Sequence, residues 1–399
     1  MSILVQTNSA APSVPATNKV NVYHNTSGQT VAQNSTGVTN ILNNTRNPNY
    51  VRNGGFWFAQ RQNPASATTY SATASRAITA DGWGVTNENA SVTYARTDTN
   101  AAAEAGLQGQ FYGTYLKITN TGKMVVSQML ESKDAIQLRG RTVRLQMWLK
   151  ATASATVNIA MAYLTTSGTI DSSPATFISA FGANGVNPTL GTNVTYIAPK
   201  SGVSPDNATP STNCAQCAVT TAWQRFGAVF DIPANLKNLY VLVYGHNQFT
   251  ATNGFSISQV SLSDGPELQD WAPMPYEQEL RRTLRYYEKS FGIDTLPATN
   301  VGAGTNEWRH SAPKGAAAAA NTPTFRYNVY KRSTSPTLTL YNPSAANAQM
   351  RDITGAADCT VTAAATSTDK AFSLGYTGAA GTAAGNVMGI NWSADAELI

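Results

Sequence analysis

Residues 142–151, TVRLQMWLKA, alternate without a break: Val143, Leu145, Met147 and Leu149 are apolar, and Arg144, Gln146, Trp148 and Lys150 stand between them. Side chains two apart lie on the same face of an extended chain, so this pattern describes a strand with one face turned into a core. The same period recurs in Val157, Ile159, Met161 and Tyr163, and in Leu239, Val241 and Val243, which are separated by Tyr240, Leu242 and Tyr244. Phe255 and Ile257 continue it. Many short period-two strands divided by turns predict a sandwich of two sheets, each burying one face.

One stretch departs from the β pattern. In residues 265–291, GPELQDWAPMPYEQELRRTLRYYEKSF, the residues Tyr276, Leu280, Leu284, Tyr287 and Phe291 recur at steps of four, four, three and four. That spacing makes one apolar stripe on a helix. Pro275 suits a first helical position, Glu277 and Arg281 form an i,i+4 pair, and Gly292 suits a stop. The expectation is a connecting helix over 271–291. It packs on its own sheet, or it stands at a trimer axis or domain junction.

Composition sets the class. Charged residues are 12% of the 399, against about 25% in ordinary globular chains. Hydrophobic residues reach 42%, with 17 Tyr, 12 Phe and 7 Trp, enough to build cores. The net charge of +5 is spread along the chain, and only Arg281, Arg282 and Arg285 are close together. No basic stripe or nucleic-acid module accompanies them, so no nucleic-acid partner is expected. The opening MSILVQTNSAAPSVPA lacks the basic and apolar regions of a signal peptide. No apolar run of membrane-spanning length exists, so no membrane insertion is expected.

Catalytic and metal chemistry find little purchase. The three cysteines, Cys214, Cys217 and Cys359, are no disulfide framework. The Cys214–Cys217 CxxC lies in a loop-rich stretch, and a local disulfide or an unpaired thiol pair both fit it better than zinc, which needs two further ligands. The histidines His24, His246 and His310 stand apart, so neither metal nor cofactor is expected. Glycoside hydrolysis needs two converging carboxylates. Asp81, Glu131, Asp134, Asp231, Asp264 and Asp270 are instead scattered among turns and strand ends. No hydrolase elbow, zinc-protease motif or P-loop is present, nor a solenoid repeat. The expectation is that the chain is not an enzyme.

Four segments resemble structural fibre proteins of tailed bacteriophages. The 271–289 segment matches a recurring W-x-P-x-P-Y-x-x-E-L-x-x-x-x-R-Y-Y-E-K pattern. NGGFWFAQRQ at 53–62 with ITADGWGV at 78–85 resembles the opening of a carbohydrate-binding-like jelly roll common in those fibres. The closing WSADAEL at 392–398 resembles the end of fibre C-terminal domains, and the KVNVYHNTSG segment at 19–28 resembles a virion attachment segment. Jelly rolls of this kind often hold an ion through an Asp in their last strand; Gln259-Val260 stands there instead of Asp-Val, which puts the ion in doubt.

The resemblance implies a mainly β chain: an anchoring module over 1–48, a jelly-roll sandwich over 49–270, the helix over 271–291 and a C-terminal β domain over 292–399. It further implies a homotrimer displayed on a virion, joined to capsid or tail proteins through residues 1–48, that assists adsorption to bacterial surface glycans. Within 1–48, turns are expected at Ser27-Gly28 and Thr36-Gly37. Glycan recognition needs exposed aromatic rings. Trp148, Tyr240 and Tyr244 fall on the non-core phase and are the candidates, unless that phase packs against a neighbour; Trp57 and Trp83 are assigned to the core. A glycan-degrading enzyme and a decoration protein without ligand are the alternatives.

Overall fold

The computed structural model describes residues 13, 16, 20–24, 30–35, 39–41, 48–62, 66–71, 73–89, 91–98, 107, 109–174, 176–200, 206–302, 307–315 and 321–398. The chain divides into two compact units, Met1–Pro48 and Asn49–Ile399. The first is a three-stranded antiparallel meander, Val20–His24, Thr30–Asn34 and Thr39–Ile41. Tyr23 and Gln33 are buried in it, and Val22 is exposed. The turns expected at Ser27-Gly28 and Thr36-Gly37 lie outside the described residues, as do most of the arm before Val20 and the alanine run 316–320.

The second unit is mainly β. A six-stranded sheet runs in the order Gln224–Asp231, Thr142–Ala151, Gly254–Asp264, Phe111–Lys117, Val92–Asp98 and Thr68–Tyr70. Facing it is an eight-stranded sheet centred on Ala155–Leu164, Leu239–Gly245 and Met124–Leu130. Val143, Leu145, Met147 and Leu149 from the first meet Val157, Ile159, Met161, Val241 and Val243 from the second in one core, as period-two alternation requires. Trp83 is in that core, stacked on Phe56 at 5.3 Å between ring centroids, while Trp57 is only half-buried. A third antiparallel sheet, built around Val387–Asp395, encloses its own core of Phe325, Phe372, Met388, Ile390 and Trp392.

The helix is shorter than the 271–291 expected from its apolar spacing. It spans Tyr276–Leu284, and the chain then turns into a strand, Tyr287–Lys289, paired with the end of Val387–Asp395. Sheet bonding captures this stretch: the Ala396 amide donates to the Tyr286 carbonyl at 2.7 Å, and the Ser290 amide donates to that of Trp392 at 3.0 Å. Tyr287 and Phe291 are therefore buried from a different element than Tyr276, which stays 45% exposed, with Leu280 and Leu284 half-buried. The buried helical residues are the polar Glu279 and Thr283. Glu279 accepts the Asn53 amide, and Arg282 donates to the carbonyls of Asn49 at 3.1 Å and Tyr50 at 3.3 Å. The Tyr276 ring lies 5.7 Å from Trp57 and 5.0 Å from Phe58.

The motif residues interlock. Arg285 grips Glu131 with two bonds of 3.0 and 2.7 Å, and the Tyr286 hydroxyl adds a third at 2.8 Å. The Arg52 guanidinium sits 3.6 Å over the Tyr286 ring, and that of Arg61 3.9 Å over Tyr287. Glu288 meets Lys331 in a buried pair, while Lys289 donates to the carbonyls of Gln60, Ile293 and Thr295 at 2.7, 2.8 and 2.7 Å. At Gly54 a Cβ would come within 2.1 Å of the Val260 carbonyl oxygen, so only glycine fits.

Three arginines close the junction around the C-terminal segment. Arg52 pairs with Glu397 at 3.0 Å; Arg61 lies 3.0 Å from Asp395, 3.4 Å from Asp81 and 3.7 Å from Glu397; and Arg76 donates to the Leu398 carbonyl. Burial pushes the Glu397 carboxyl up, but Arg52, Arg61 and Arg76 outweigh it and hold the group below its ordinary 4.5. Its contribution to stability is therefore complete above that pH and is lost as pH falls through the depressed folded value. Replacing Glu397 by Gln strands buried arginines, with an expected loss of about 3–5 kcal/mol at neutral pH. Urea denaturation across pH checks this: the wild type's advantage over Glu397→Gln shrinks below about pH 4.5.

Candidate functional site

The outer face of the six-stranded sheet carries the residues that alternate with its core. At one end a strap formed by residues 265–272 crosses it. Arg144 donates to the Pro266 carbonyl at 2.9 Å, and the Gln146 side chain donates to that of Gln269, so both are covered. Past Asp270 the face opens. Trp148 stands half-buried between Arg225 on one neighbouring strand and Ser258 on the other. Arg225 is held by Asp206 at 2.5 Å and Asp270 at 3.5 Å. Next along, the Lys150 ammonium lies 5.3 Å from the Tyr112 ring and 5.1 Å from that of Trp223, and those rings meet edge-on at 5.2 Å. Thr114 and Ser256 share a hydroxyl bond of 2.8 Å beside them. An aromatic, two cations and paired hydroxyls thus lie in one row on rigid strands.

Tyr240 and Tyr244 do not join that row. They lie on the other sheet, and both are fully buried. Residues 177–190 fold over their face. Phe177 stacks on Tyr240 at 5.2 Å, and the Tyr244 hydroxyl donates to Asn187 Oδ1 at 2.9 Å. Burial pushes the Tyr240 hydroxyl up to about 12 and that of Tyr244 higher. Their assignment as sugar-stacking rings is corrected: phase places a side chain on a face, but this face is roofed by the chain itself.

The roof is itself a built object. The ammonium of the fully buried Lys123 donates to the carbonyls of Phe181, Ala183 and Val186 at 3.3, 2.5 and 2.6 Å. The Gly185 amide donates to the His246 carbonyl at 3.1 Å, and Asn184 Oδ1 accepts the Gln248 amide at 2.8 Å. Gly182 and Gly185 take the left-handed turns the loop needs, with φ of 71° and 78°. Beside this loop lies an open cleft of about 490 Å³, with Asn187, Thr189, Thr195, Tyr196 and Asn213 among its walls.

The thiols of the CxxC pack on opposite sides of their sheet, Cys217 in the sandwich core and Cys214 under the roof. Both are free and buried, and burial raises both thiols, so of the two alternatives the structure holds the unpaired thiol pair. No group of three or more His, Cys, Asp or Glu side chains able to hold a metal occurs among the described residues. Gln259 sits at a bulge with φ of 51°, where the strand passes Gly54.

Among the acids, Asp81 holds Gln60 and Arg61, Asp231 holds Thr142 and Lys200, and Asp264 holds Arg141. Glu131 and Asp134 share a cleft of about 370 Å³ with Arg52, Lys133, Arg282, Arg285 and Tyr286. Burial pushes the Asp134 carboxyl up; at Glu131 the bonds from Arg285 and Tyr286 outweigh burial and hold it down. No helix among the described residues is long and apolar enough to cross a membrane.

No family model and no curated protein matches the chain. Solved structures do. The TmCBM61 module in complex with β-1,4-galactotriose is 12% identical over 55% of this chain and 99% of its own, with a TM-score of 0.29. The family 11 carbohydrate-binding module from Clostridium thermocellum, in complex with a mixed-linked tetrasaccharide, is 8% identical over 47% of this chain and 91% of its own, at 0.25. The enzymatically active domain of tailspike protein 4 from bacteriophage CBA120 is 13% identical over 54% of this chain, at 0.30, and the match spans 21% of that chain.

The two sheet faces answer differently to truncation. Tyr240→Ala empties a stacked position in a closed layer and is expected to cost about 3–5 kcal/mol. Trp148→Ala, on the partly open face, is expected to cost about 1 kcal/mol. Urea denaturation midpoints of the two variants check this order.

Proposed function

We propose that the chain is a non-catalytic structural protein of a tailed-phage particle, a trimeric fibre or spike that assists adsorption by binding bacterial surface glycans. The observation that carries the binding half is the open row of Trp148, Lys150 and Arg225 on the six-stranded sheet. A ring edge for a sugar's apolar face, beside fixed cations and hydroxyls, suits glycans, including acidic ones. Each contact is weak, and a trimer repeated over a particle multiplies it. Attachment to capsid or tail through residues 1–48 follows from the resemblance of KVNVYHNTSG to virion attachment segments.

The fibre half is supported by how the resembling segments are used. NGGFWFAQRQ bonds to the 271–289 stretch through Asn53–Glu279, to ITADGWGV through Arg61–Asp81 and to WSADAEL through Arg61–Asp395, as parts of a frame. One observation favours a second reading, a glycan-degrading enzyme: Asp134 and Glu131 lie in one cleft with carboxyls shifted in opposite directions. Against it, Glu131 already accepts three bonds from Arg285 and Tyr286.

Sedimentation equilibrium of the full chain is expected to give a trimer, and antibody against residues 292–399 is expected to label particles in electron micrographs. Trp148→Ala is expected to weaken binding to host capsule or lipopolysaccharide about tenfold without altering assembly. Unchanged binding in that variant would leave a decoration protein without this ligand site. New reducing ends released from the glycan, and lost on Asp134→Asn, would establish the enzyme instead.

A further inference from the structure

The lining of the cleft beside the 181–190 loop carries no charged side chain. It offers amides from Asn187 and Asn213, hydroxyls from Thr189 and Thr195, and the half-buried ring of Tyr196, with Val186 and Leu190 as apolar walls. The polar groups are not spent on the fold. Among the described residues, the Asn187 Nδ2, the Asn213 amide and the two threonine hydroxyls have no protein partner. By contrast Asn187 Oδ1 accepts the Tyr244 hydroxyl at 2.9 Å, and the Tyr196 hydroxyl donates to the Pro188 carbonyl at 2.9 Å. These bonds fix the Asn187 amide plane and the Tyr196 ring before any ligand arrives.

The walls are held as well. Lys123 ties three carbonyls of the loop, and Gly191 lies so close to the Thr176 carbonyl that a Cβ there would stand 2.1 Å from its oxygen. A site that is already ordered loses little entropy on binding. Its volume of about 490 Å³ falls in the usual range for small-molecule sites, about 300–1,000 Å³.

We propose that this cleft is a second binding site, specific for short uncharged saccharides. Amide and hydroxyl groups match sugar hydroxyls and acetamido groups. Tyr196, Val186 and Leu190 suit their apolar faces. The lack of any ion on the walls disfavours phosphates, sulfates and nucleic acid, which need paired cations. The site shares its ligand class with the preceding reading and rests on it to that extent, but it lies on the opposite sheet from Trp148 and differs in charge. Binding at the cleft is therefore independent of salt, whereas binding of acidic glycans at the Trp148 row weakens as salt rises.

The test is saturation-transfer NMR on the full chain with glucose, galactose, N-acetylglucosamine and their β-linked disaccharides. At least one is expected to bind, equally at low and raised salt, equally in Trp148→Ala, and about tenfold more weakly in Thr195→Trp. Thr195 is exposed, so that variant fills the cleft without entering the core. Asn213→Ala, which removes an amide and adds no bulk, is expected to weaken binding as well. Silence of every probe, or binding lost in Trp148→Ala and kept in Thr195→Trp, overturns the cleft. If whole capsule still binds through Trp148 in that event, the adsorption reading stands without it; if capsule binding is also absent, both fall.

Discussion

Arg52 and Glu397 meet 3.0 Å apart with almost no water around them, and the second compact unit is organised on that pair. A lone buried charge costs several kcal/mol, so neither residue is tolerable without the other. Arg52 also lies over Tyr286, and Arg61 reaches Asp81, Asp395 and Tyr287, so one cluster joins the sandwich, the chain after the helix and the last strand of the C-terminal sheet. Greasy packing of the same area would hold these parts together without fixing their angle. Directional bonds from guanidinium groups fix it. The cluster places several buried charged residues where the angle between parts must be set.

That rigid frame leaves the sandwich with two unlike faces. One sheet is crossed by the short 265–272 strap and keeps Trp148 partly open. The other is roofed by a long segment anchored on Lys123, which hides Tyr240 and Tyr244 and in doing so forms a new concavity above them. Both faces are built from strands and pinned loops, an arrangement that would lose little order to a ligand.

Much of this is legible in the residues. The inward phase of Val143, Leu145, Met147 and Leu149, and of Val157, Ile159 and Met161, marks the core strand by strand. What alternation cannot report is who covers the outer phase. Tyr240 and Trp148 follow the same rule on their strands, yet one is roofed and the other is not. The helix end was hidden by a coincidence of spacing, because Tyr287 and Phe291 extend a period-four stripe while belonging to a strand. Its buried face was hidden by chemistry: Glu279 faces inward to accept the Asn53 amide, a bond that hydrophobicity does not encode. The cleft left only a faint trace, the Asn, Thr, Gly and Pro content of 166–220.

The pairing of Arg52 with Glu397 spans 345 positions of sequence, and it has a consequence for how the chain is made. A ribosome releases Arg52, Arg61 and Arg76 long before Glu397 and Asp395. Until those residues are made, Arg52, Arg61 and Arg76 lack their partners in the 395–398 segment, and Arg61 keeps Asp81. Closure of the cluster therefore waits for residues 395–398, the same stretch that completes the central strand of the C-terminal sheet.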